Sequence, residues 1–342
     1  MSPPTHRKRR RWLIGSLAAL AVVGLILGAC HSFQLRMPGP RFRGALPPLD
    51  APTSALRDRL RRHVEELAGT IGERHLGRPQ ALEASREVLA RELRAAGYAV
   101  ERQAYVVDGR EVQNLEVGRT GATTPREIVV IGAHYDSARG TPGADDNASG
   151  VAALLELARA FADRTPGRTL RFVAFVNEEP PYFRTSQMGS YQYAQRCRER
   201  QEQVVAMLSL ETMGLFSDRP QSQHYPFPMS LFYPSRGDFI GFIGSAAAVD
   251  LVRTVVASFR RHEPFPAEGS AITTLIRGVD WSDHWGFGEM GYPALMVTDT
   301  ALFRNRHYHR ATDRPDTLDY DRLARVTRGL DAVARELSRT TP

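Results

Sequence analysis

Short runs of β-branched and aliphatic residues alternate along this chain with longer segments of helical periodicity. Four of the runs are of the kind found in strands buried on both faces: EIVVIGA (127–133), TLRFVAFVN (169–177), VVAMLSL (204–210) and YPALMVT (292–298). Between them lie amphipathic segments such as GVAALLELARAF (150–161) and AAAVDLVRTVVASFRRH (246–262). The order β, α, β, α predicts an α/β fold with a largely parallel central sheet.

Side chains that commonly bind metals stand close behind apolar runs of this kind. Two are histidines and the others are carboxylates: His134 in IGAHYDS, Asp146 in PGADDNASG, Glu178 and Glu179 in FVNEEPP, Glu211 in LSLETMG and His309 in HYHRATD. In open α/β sheets the functional site lies at the carboxyl ends of the strands, so these side chains should meet there. Imidazoles and carboxylates without thiolates suit a pair of hydrolytic zinc ions that share one bridging carboxylate. The pattern predicts a two-zinc hydrolase.

Each motif also has a simpler explanation when it is taken alone. A single histidine after a strand is often a turn or surface residue, and an acidic pair often only solvates a loop. Asn147 or Ser149 could cap the helix that follows. Capping accounts for one polar residue at that point but not for the adjacent aspartates Asp145 and Asp146. The joint placement of the motifs favours the metal site.

Six motifs carry a resemblance to a known family. In chain order they are HYDS, PGADDNASG, NEEPP, SLETMG, WSDHWGF and YHRATDRPDTLDY. Together they resemble the co-catalytic zinc aminopeptidases of the aminopeptidase Y and bacterial leucyl aminopeptidase type (metallopeptidase family twenty-eight), whose relatives include glutaminyl cyclases and glutamate carboxypeptidases. The resemblance covers roughly residues 55 to 340. It implies a single zinc-dependent exopeptidase domain with a mostly parallel, mixed sheet flanked by helices.

The resemblance also implies a set of metal ligands. Asp146 would bridge two zinc ions, and in such proteins a cis peptide bond follows the bridging residue. His134 and Glu211 would complete one zinc site, while Glu179 and His309 would complete the other. Many relatives carry Asp at the position of Glu211, so the longer side chain here is a departure from the family pattern.

Further roles follow from the chemistry that such a site needs. Glu178 is the expected general base, since a base must keep a free oxygen for the proton of the attacking water. Asp136 is placed two residues after the first histidine ligand to orient its ring, and Asp313 is the equivalent candidate for the second. Tyr308 is the candidate hydrogen-bond donor to the oxyanion of the tetrahedral intermediate.

Substrate preference is expected to lie near the NEEPPYFRTSQMGS segment, which is longer than in simpler family members. Four aromatic residues, Tyr182, Phe183, Trp285 and Phe287, either line an apolar side-chain pocket or pack in the interior. An irregular insertion, rich in Pro, Ser and aromatic residues, is predicted over residues 217–238 near the site.

Composition excludes several other classes of enzyme. Lys8 is the only lysine, so the folded part has no Schiff-base lysine, P-loop lysine or Ser-Lys pair. The net charge is +7, but the first 43 residues carry eight basic residues and no acidic one, which leaves 37 basic against 38 acidic residues in the rest. No nucleic-acid groove is therefore expected.

The N-terminus has the pattern of an export signal or membrane anchor. Basic residues 6–11 precede the apolar run 12–30, so the positive end is expected to stay in the cytoplasm. The segment 27–30, LGAC, resembles a lipoprotein cleavage box with Cys30 as the lipidated residue, although the run also approaches the length of a spanning helix. Cys197 is the only other cysteine, which leaves the mature domain without an intrachain disulfide.

The expected organisation is an anchor segment (1–30), a Pro-rich linker (31–52) that holds the domain off the membrane, and a peptidase domain (53–342). The domain should begin with amphipathic helices over 54–69 and 80–97 and end with one over 321–339.

The expected protein is an exported, membrane-tethered two-zinc aminopeptidase that acts on peptides at the periplasmic or extracellular face. The sequence leaves carboxypeptidase or dipeptidase activity open. The alternatives are a single-zinc glutaminyl cyclase and a non-catalytic receptor or scaffold on the same fold.

Overall fold

The computed structural model describes residues 35–227 and 229–339, together with Gly28. The rest of the predicted anchor segment, including Cys30, lies outside these residues. Within the described part of the chain, no helix combines the length and apolar character needed to cross a membrane.

Eight strands form one mixed sheet. Their bounds are β1 Glu101–Val107, β2 Arg110–Arg119, β3 Thr124–His134, β4 Arg168–Phe175, β5 Gln203–Glu211, β6 Ile240–Ser245, β7 Ala267–Ile272 and β8 Ala294–Thr298. The spatial order is β1-β2-β4-β3-β5-β8-β6-β7. The four central strands β4, β3, β5 and β8 are parallel, whereas β1, β2 and the β6–β7 pair add antiparallel contacts towards the two edges.

Seven α-helices accompany the sheet in the described residues. Their bounds are α1 Ala51–Val64, α2 Pro79–Ala95, α3 Gly150–Phe161, α4 Gly189–Glu199, α5 Val249–His262, α6 His284–Glu289 and α7 Tyr320–Leu337. A π-helical turn, Glu65–Ile71, continues α1. The predicted α/β fold with a mostly parallel, mixed sheet is confirmed.

The parallel arrangement determines where the polar motifs meet. Strand β3 ends at His134 and β5 ends at Glu211, while β4 ends three residues before Glu178. Because these strands are parallel neighbours, their carboxyl ends lie along one edge of the sheet. The candidate ligands on these three segments are thereby brought together.

Helix α3 approaches the same edge closely. A Cβ atom on its first residue, Gly150, would lie 2.3 Å from the Asn147 side-chain oxygen and 2.5 Å from the Leu210 carbonyl oxygen. Only glycine allows this approach. The helix entry, which carries Asp146, is therefore held against the end of β5, which carries Glu211.

The structure changes the expected role of the linker over residues 31–52. The described part of it lies against the domain, with Leu46 packed on the apolar core. The Arg260 guanidinium donates to the carbonyl oxygens of Met37, Pro38 and Gly39 at 3.1–3.2 Å. Asp50 accepts from the Thr53 N–H at 2.8 Å and caps α1. Residues 35–50 are thus part of the folded domain rather than a free spacer, because their backbone carbonyls find buried donors.

Candidate metal centre

The five predicted metal ligands come together in two groups of three. His134, Asp146 and Glu211 form one group, and Asp146, Glu179 and His309 form the other. In each group the three candidate ligand atoms lie within 4.8 Å of one another. Asp146 is common to both groups, as a bridging ligand would be.

The two oxygens of Asp146 face different histidines. Its Oδ1 atom lies 3.4 Å from His134 Nε2, and its Oδ2 atom lies 3.1 Å from His309 Nε2. The second acid of each group is equally close, with Glu211 Oε2 3.2 Å from His134 Nε2 and Glu179 Oε2 3.2 Å from His309 Nε2. Asp146 thus offers one carboxylate oxygen to each of the two ligand groups.

The chemistry of these groups fits bound cations. Three buried atoms of the ligand residues, His134 Nε2, Asp146 Oδ2 and Glu179 Oε1, have no hydrogen-bond partner among the described residues. Burial raises the pKa of Glu178 well above its usual value and that of Glu179 to about 8, because the charged forms lose their hydration. Cations would stabilise the ionised carboxylates and satisfy the unpaired atoms. The donor set of nitrogen and oxygen is one that zinc accepts.

Asp136 connects the two ends of β3 and β4. Its carbonyl oxygen lies 3.2 Å from His134 Nδ1, the ring nitrogen remote from the ligand atom. Its carboxylate accepts from the backbone N–H groups of Glu178 and Glu179 at 3.2 and 3.1 Å. Asp136 therefore contacts the ring that it was expected to orient, and it also holds the backbone of both glutamates.

Asp313 does not occupy the position expected from the sequence. It was expected behind His309, but its two carboxylate oxygens accept from the backbone N–H groups of Asp145 and Asp146, at 2.9 and 3.2 Å. The sequence separation from His309 is short, but the chain turns at this point so that the carboxylate faces the entry to α3. Asp313 thus supports the bridging aspartate.

The peptide bond between Asp146 and Asn147 is cis, as the family resemblance implies. The Asn147 side chain then connects two elements, since its Nδ2 donates to the Leu210 carbonyl at 2.8 Å and its Oδ1 accepts from the Thr212 N–H at 3.2 Å. These contacts lie on either side of Glu211. They fix the distance between the shared ligand and the end of β5.

Glu178 and Tyr308 stand beside the two groups without belonging to either. Glu178 Oε2 lies 3.9 Å from His134 Nε2, and the side chain is almost fully buried. The Tyr308 ring stacks on the His309 ring with centroids 3.9 Å apart, and Tyr308 lines a cavity that also reaches Glu211.

The space between the residues that line this cavity, together with the solvent at its open side, amounts to about 820 Å³. Most of its wall is apolar and comes from the predicted insertion, from strands β6, β7 and β8 and from the loop after β7, including Tyr225, Met229, Tyr233, Ile243, Ile272, Ile276, Trp281 and Met296. The expectation that the insertion over 217–238 lies near the site agrees with the structure.

The four aromatic residues considered as pocket residues have other surroundings. Phe287 is fully buried in an apolar cluster with residues of β3, β4 and β5, and Trp285 stacks on Tyr191. The Tyr182 hydroxyl donates to Asp108, while the Phe183 ring packs edge-on against Trp281. None of the four lines the cavity, although Phe183 contacts Trp281 of its wall.

Comparison with known proteins identifies the family of this chain. Residues 114–334 match the pattern described as Peptidase family M28. The chain belongs to this family. An Escherichia coli (strain K12) protein, YfbL, described as uncharacterized, is 37% identical over 295 residues, which cover 84% of this chain and 89% of that protein. A probable aminopeptidase of Saccharomyces cerevisiae, YDR415C, is 26% identical over 64% of this chain and 55% of its own length.

Solved structures show the same fold. The LapA aminopeptidase of Legionella pneumophila has a TM-score of 0.67 at 18% identity and covers 88% of this chain and 78% of its own. A zinc aminopeptidase from Bacillus subtilis has a TM-score of 0.63 at 15% identity, with 83% and 95% covered. A glutaminyl cyclase from Fimbriiglobus ruber has a TM-score of 0.61 at 20% identity, with 88% and 99% covered. The predicted class, a zinc metallopeptidase of the exopeptidase type, is confirmed by the family.

Two residues of this M28 peptidase that sequence reasoning did not single out complete the centre. The Ser282 hydroxyl donates to Glu211 Oε2 at 2.7 Å and fixes its orientation. Ser282 lies in the WSDHWGF motif, one of the six motifs that carry the family resemblance. Arg74 lies in the loop after the π-helical turn and carried no sequence signal at all.

Arg74 is completely buried and binds backbone rather than carboxylates. Its guanidinium donates to the carbonyl oxygens of Tyr135, Pro142 and Gly143 at 2.7, 2.5 and 2.8 Å. Burial lowers its pKa to about 10, so it remains protonated at neutral pH. The side chain thus joins the loop after His134 to the loop before Asp146 and adds a positive charge beside the acidic centre.

The contacts of Asp313 predict how its loss affects the M28 centre. Asp313→Ala removes both acceptors beside Asp146, which belongs to both ligand groups, so metal binding at either group should weaken. Loss of such a supporting contact typically costs about 10- to 100-fold in metal affinity. His309→Ala should instead weaken only the group that contains Glu179. Zinc titration against a chromophoric chelator distinguishes the two patterns.

Asp316→Ala is the matched control, since Asp316 lies three residues further on and is exposed. It should bind zinc as the unmodified protein does. A single weakened site in Asp313→Ala would contradict the assignment of Asp313 to the Asp146 backbone.

Proposed function

We propose that this M28 peptidase is a two-zinc aminopeptidase that releases N-terminal residues from peptides. The observation that carries the proposal is Asp146, which presents one oxygen to each of two histidine-containing groups. His134 and Glu211 would complete one zinc site, and Glu179 and His309 the other.

The residues around the centre fit peptide hydrolysis. Bound zinc supplies Lewis-acid chemistry, lowering the pKa of a water to about 7 and polarising the scissile carbonyl. Glu178 belongs to neither ligand group, so its carboxylate is free to take a proton from the attacking water and pass it to the leaving amine. Asp136 holds the backbone of Glu178 and keeps this carboxylate beside His134. Tyr308, which lines the cavity, would donate to the developing oxyanion.

The cavity suggests the kind of substrate. Its wall is mainly aromatic and aliphatic, and it reaches Glu211 and Tyr308. A cavity of this character binds apolar side chains by removing their surface from water. We propose that the residue released from the peptide is a large apolar one whose side chain enters this cavity.

Two alternative functions are less well supported. The fold is shared with glutaminyl cyclases. A single-zinc cyclase, however, has no need of a second complete group, and here both groups are complete. A non-catalytic receptor would not need to keep Glu178 beside a full ligand set.

The metal content and the substrate test the proposal together. The purified protein should contain close to two zinc ions per chain, lose activity to a chelator and regain it with zinc. It should cleave leucyl or phenylalanyl peptides with a free amino terminus and leave their N-acetylated forms intact. Cleavage that requires a free C-terminus would indicate a carboxypeptidase, and cyclisation of N-terminal glutamine with loss of ammonia would indicate a cyclase. Activity in metal-free, chelator-resistant protein would overturn the proposal.

Glu178 and Glu179 are adjacent, but their substitution should have different effects on turnover and on metal content. Glu178→Gln removes the base and should lower kcat by about 10²- to 10⁴-fold while both zinc ions remain bound. Glu179→Gln replaces an anionic ligand with a neutral amide, so one metal site should weaken and added zinc should partly restore activity. Metal analysis beside steady-state kinetics on one leucyl peptide separates the two effects. Near-normal turnover in Glu178→Gln would show that the assigned mechanism is wrong.

We further propose that the N-terminal segment exports the domain and tethers it to a membrane. The support is the sequence alone, in which six consecutive residues with five basic ones precede an apolar run that ends at Cys30. The full-length chain should fractionate with membranes. Mass spectrometry of the membrane form should show either a lipidated, N-terminal Cys30 or an unmodified Cys30 within an intact chain. The first result indicates a lipoprotein and the second a spanning helix, while recovery of the full-length chain in the soluble fraction contradicts the tether.

A further inference from the structure

Exposed apolar side chains are concentrated on two neighbouring loops. The large hydrophobic residues that are exposed in the described chain are Val106, Phe227, Leu231, Phe232 and Leu275. All but Val106 lie within residues 225–227 and 229–233 or within residues 273–279, here called the two apolar loops. Phe227 is 81% exposed and Leu275 is 91% exposed, so these side chains project almost entirely from the surface.

The two apolar loops are held in place by their own contacts. In the first, the Tyr225 and Tyr233 rings lie 5.8 Å apart, and the Tyr233 hydroxyl donates to the Gly269 carbonyl on β7. In the second, the Ile276 N–H donates to the Thr273 carbonyl and the Val279 N–H to the Ile276 carbonyl. The exposed tips are therefore presented by internally bonded loops.

The N-terminal segment reaches the domain at these same loops. Leu35 is buried in one apolar cluster with Met229 and Val279, which belong to the two apolar loops, and with Ile272 at the end of β7. The carbonyl groups of residues 37–39 are then held by Arg260. The position at which the chain enters the domain is thereby fixed.

The sequence before Leu35 limits how far a membrane could be from this surface. The apolar run 12–30 ends five residues before Leu35. Five residues span at most about 17 Å when fully extended. If the run is embedded in a bilayer, the two apolar loops must lie within about that distance of it. Exposed Arg36, Arg43 and Arg277 lie on the entering segment and on the second loop, where anionic lipid headgroups would attract them.

We propose that the two apolar loops form a membrane-contact surface, in which Phe227, Leu231 and Leu275 enter the headgroup region of the bilayer that holds the N-terminal anchor. This inference rests on the proposed tether but not on the proposed peptidase activity. Apolar side chains at such an interface are typically buried about 5–10 Å into the headgroup boundary. Tyr225 and Met229 also line the cavity beside the metal ligands, so the bilayer would support one wall of the substrate pocket.

Fluorescence quenching by lipids tests the surface in the full-length protein. Leu231→Cys and Leu275→Cys, each labelled with bimane, are reconstituted into phosphatidylcholine–phosphatidylglycerol vesicles that contain lipids brominated near the headgroup. Val106→Cys is the matched control, because Val106 is 69% exposed on β1, at the opposite edge of the sheet. Cys197 is fully buried, and any signal from Cys30 is measured in the unmodified protein and subtracted.

The expected result is loss of fluorescence at positions 231 and 275 and none at position 106. Equal signals at all three positions, in protein that floats with the vesicles, would overturn the membrane-contact surface and leave the tether standing. Failure of the chain to float with vesicles would overturn both. A signal at 231 and 275 that changes with protein concentration but not with bromination would assign the surface to self-association and also overturn the proposal. Retained zinc content in each labelled variant shows that it is folded.

Discussion

The structure depends on the burial of several carboxylates in one place. Asp146, Glu178, Glu179 and Glu211 are all at least about nine-tenths buried at the carboxyl edge of the sheet, with only two imidazoles directly among them. Like charges at such distances in a medium of low polarity disfavour ionisation. Burial raises the pKa of Glu178, Glu179 and Glu211, whereas His134 and His309 hold the pKa of Asp146 below its usual value despite its burial. Added positive charge would stabilise the three glutamates in the ionised form, which is what a bound cation supplies.

The surrounding residues hold this charge cluster through the backbone. Asp136 and Asp313 each accept two consecutive N–H groups, one pair at Glu178 and Glu179 and the other beside Asp146. Arg74 holds the carbonyl groups of the neighbouring loops and remains charged. The candidate ligands are therefore positioned mainly by main-chain hydrogen bonds, with the Ser282 hydroxyl as a side-chain donor to Glu211 Oε2.

The end of the sheet formed by β8, β6 and β7 encloses the proposed substrate pocket. Strands β6 to β8 and the two apolar loops enclose the cavity, and the segment entering from the N-terminus packs on the same side through Leu35. One small apolar cluster contains both Leu35 of the entering segment and three residues that line the cavity, Met229, Ile272 and Val279. The same cavity reaches the candidate ligand Glu211. Edge strand β7 is covered by this segment, since Arg41 pairs with its buried Glu268 at 2.9 Å.

The sequence by itself determined the fold class and all five candidate ligands, because short segments of the chain carry both signals. Apolar runs define the buried parallel strands, and His134, Glu179 and Glu211 stand at or close behind the ends of β3, β4 and β5. Asp146 stands at the entry to α3, and His309 stands in the loop region after β8. The tertiary structure decided which side chains meet when they are far apart in the sequence, and which way each side chain faces. Asp313 faces Asp146 rather than His309, Arg74 joins loops that no motif connects to it, and the pocket is lined by the insertion rather than by Phe287 or Trp285. Residues 35–50 fold onto the domain for the same reason: their partners lie more than two hundred residues away, and no local pattern records such a contact.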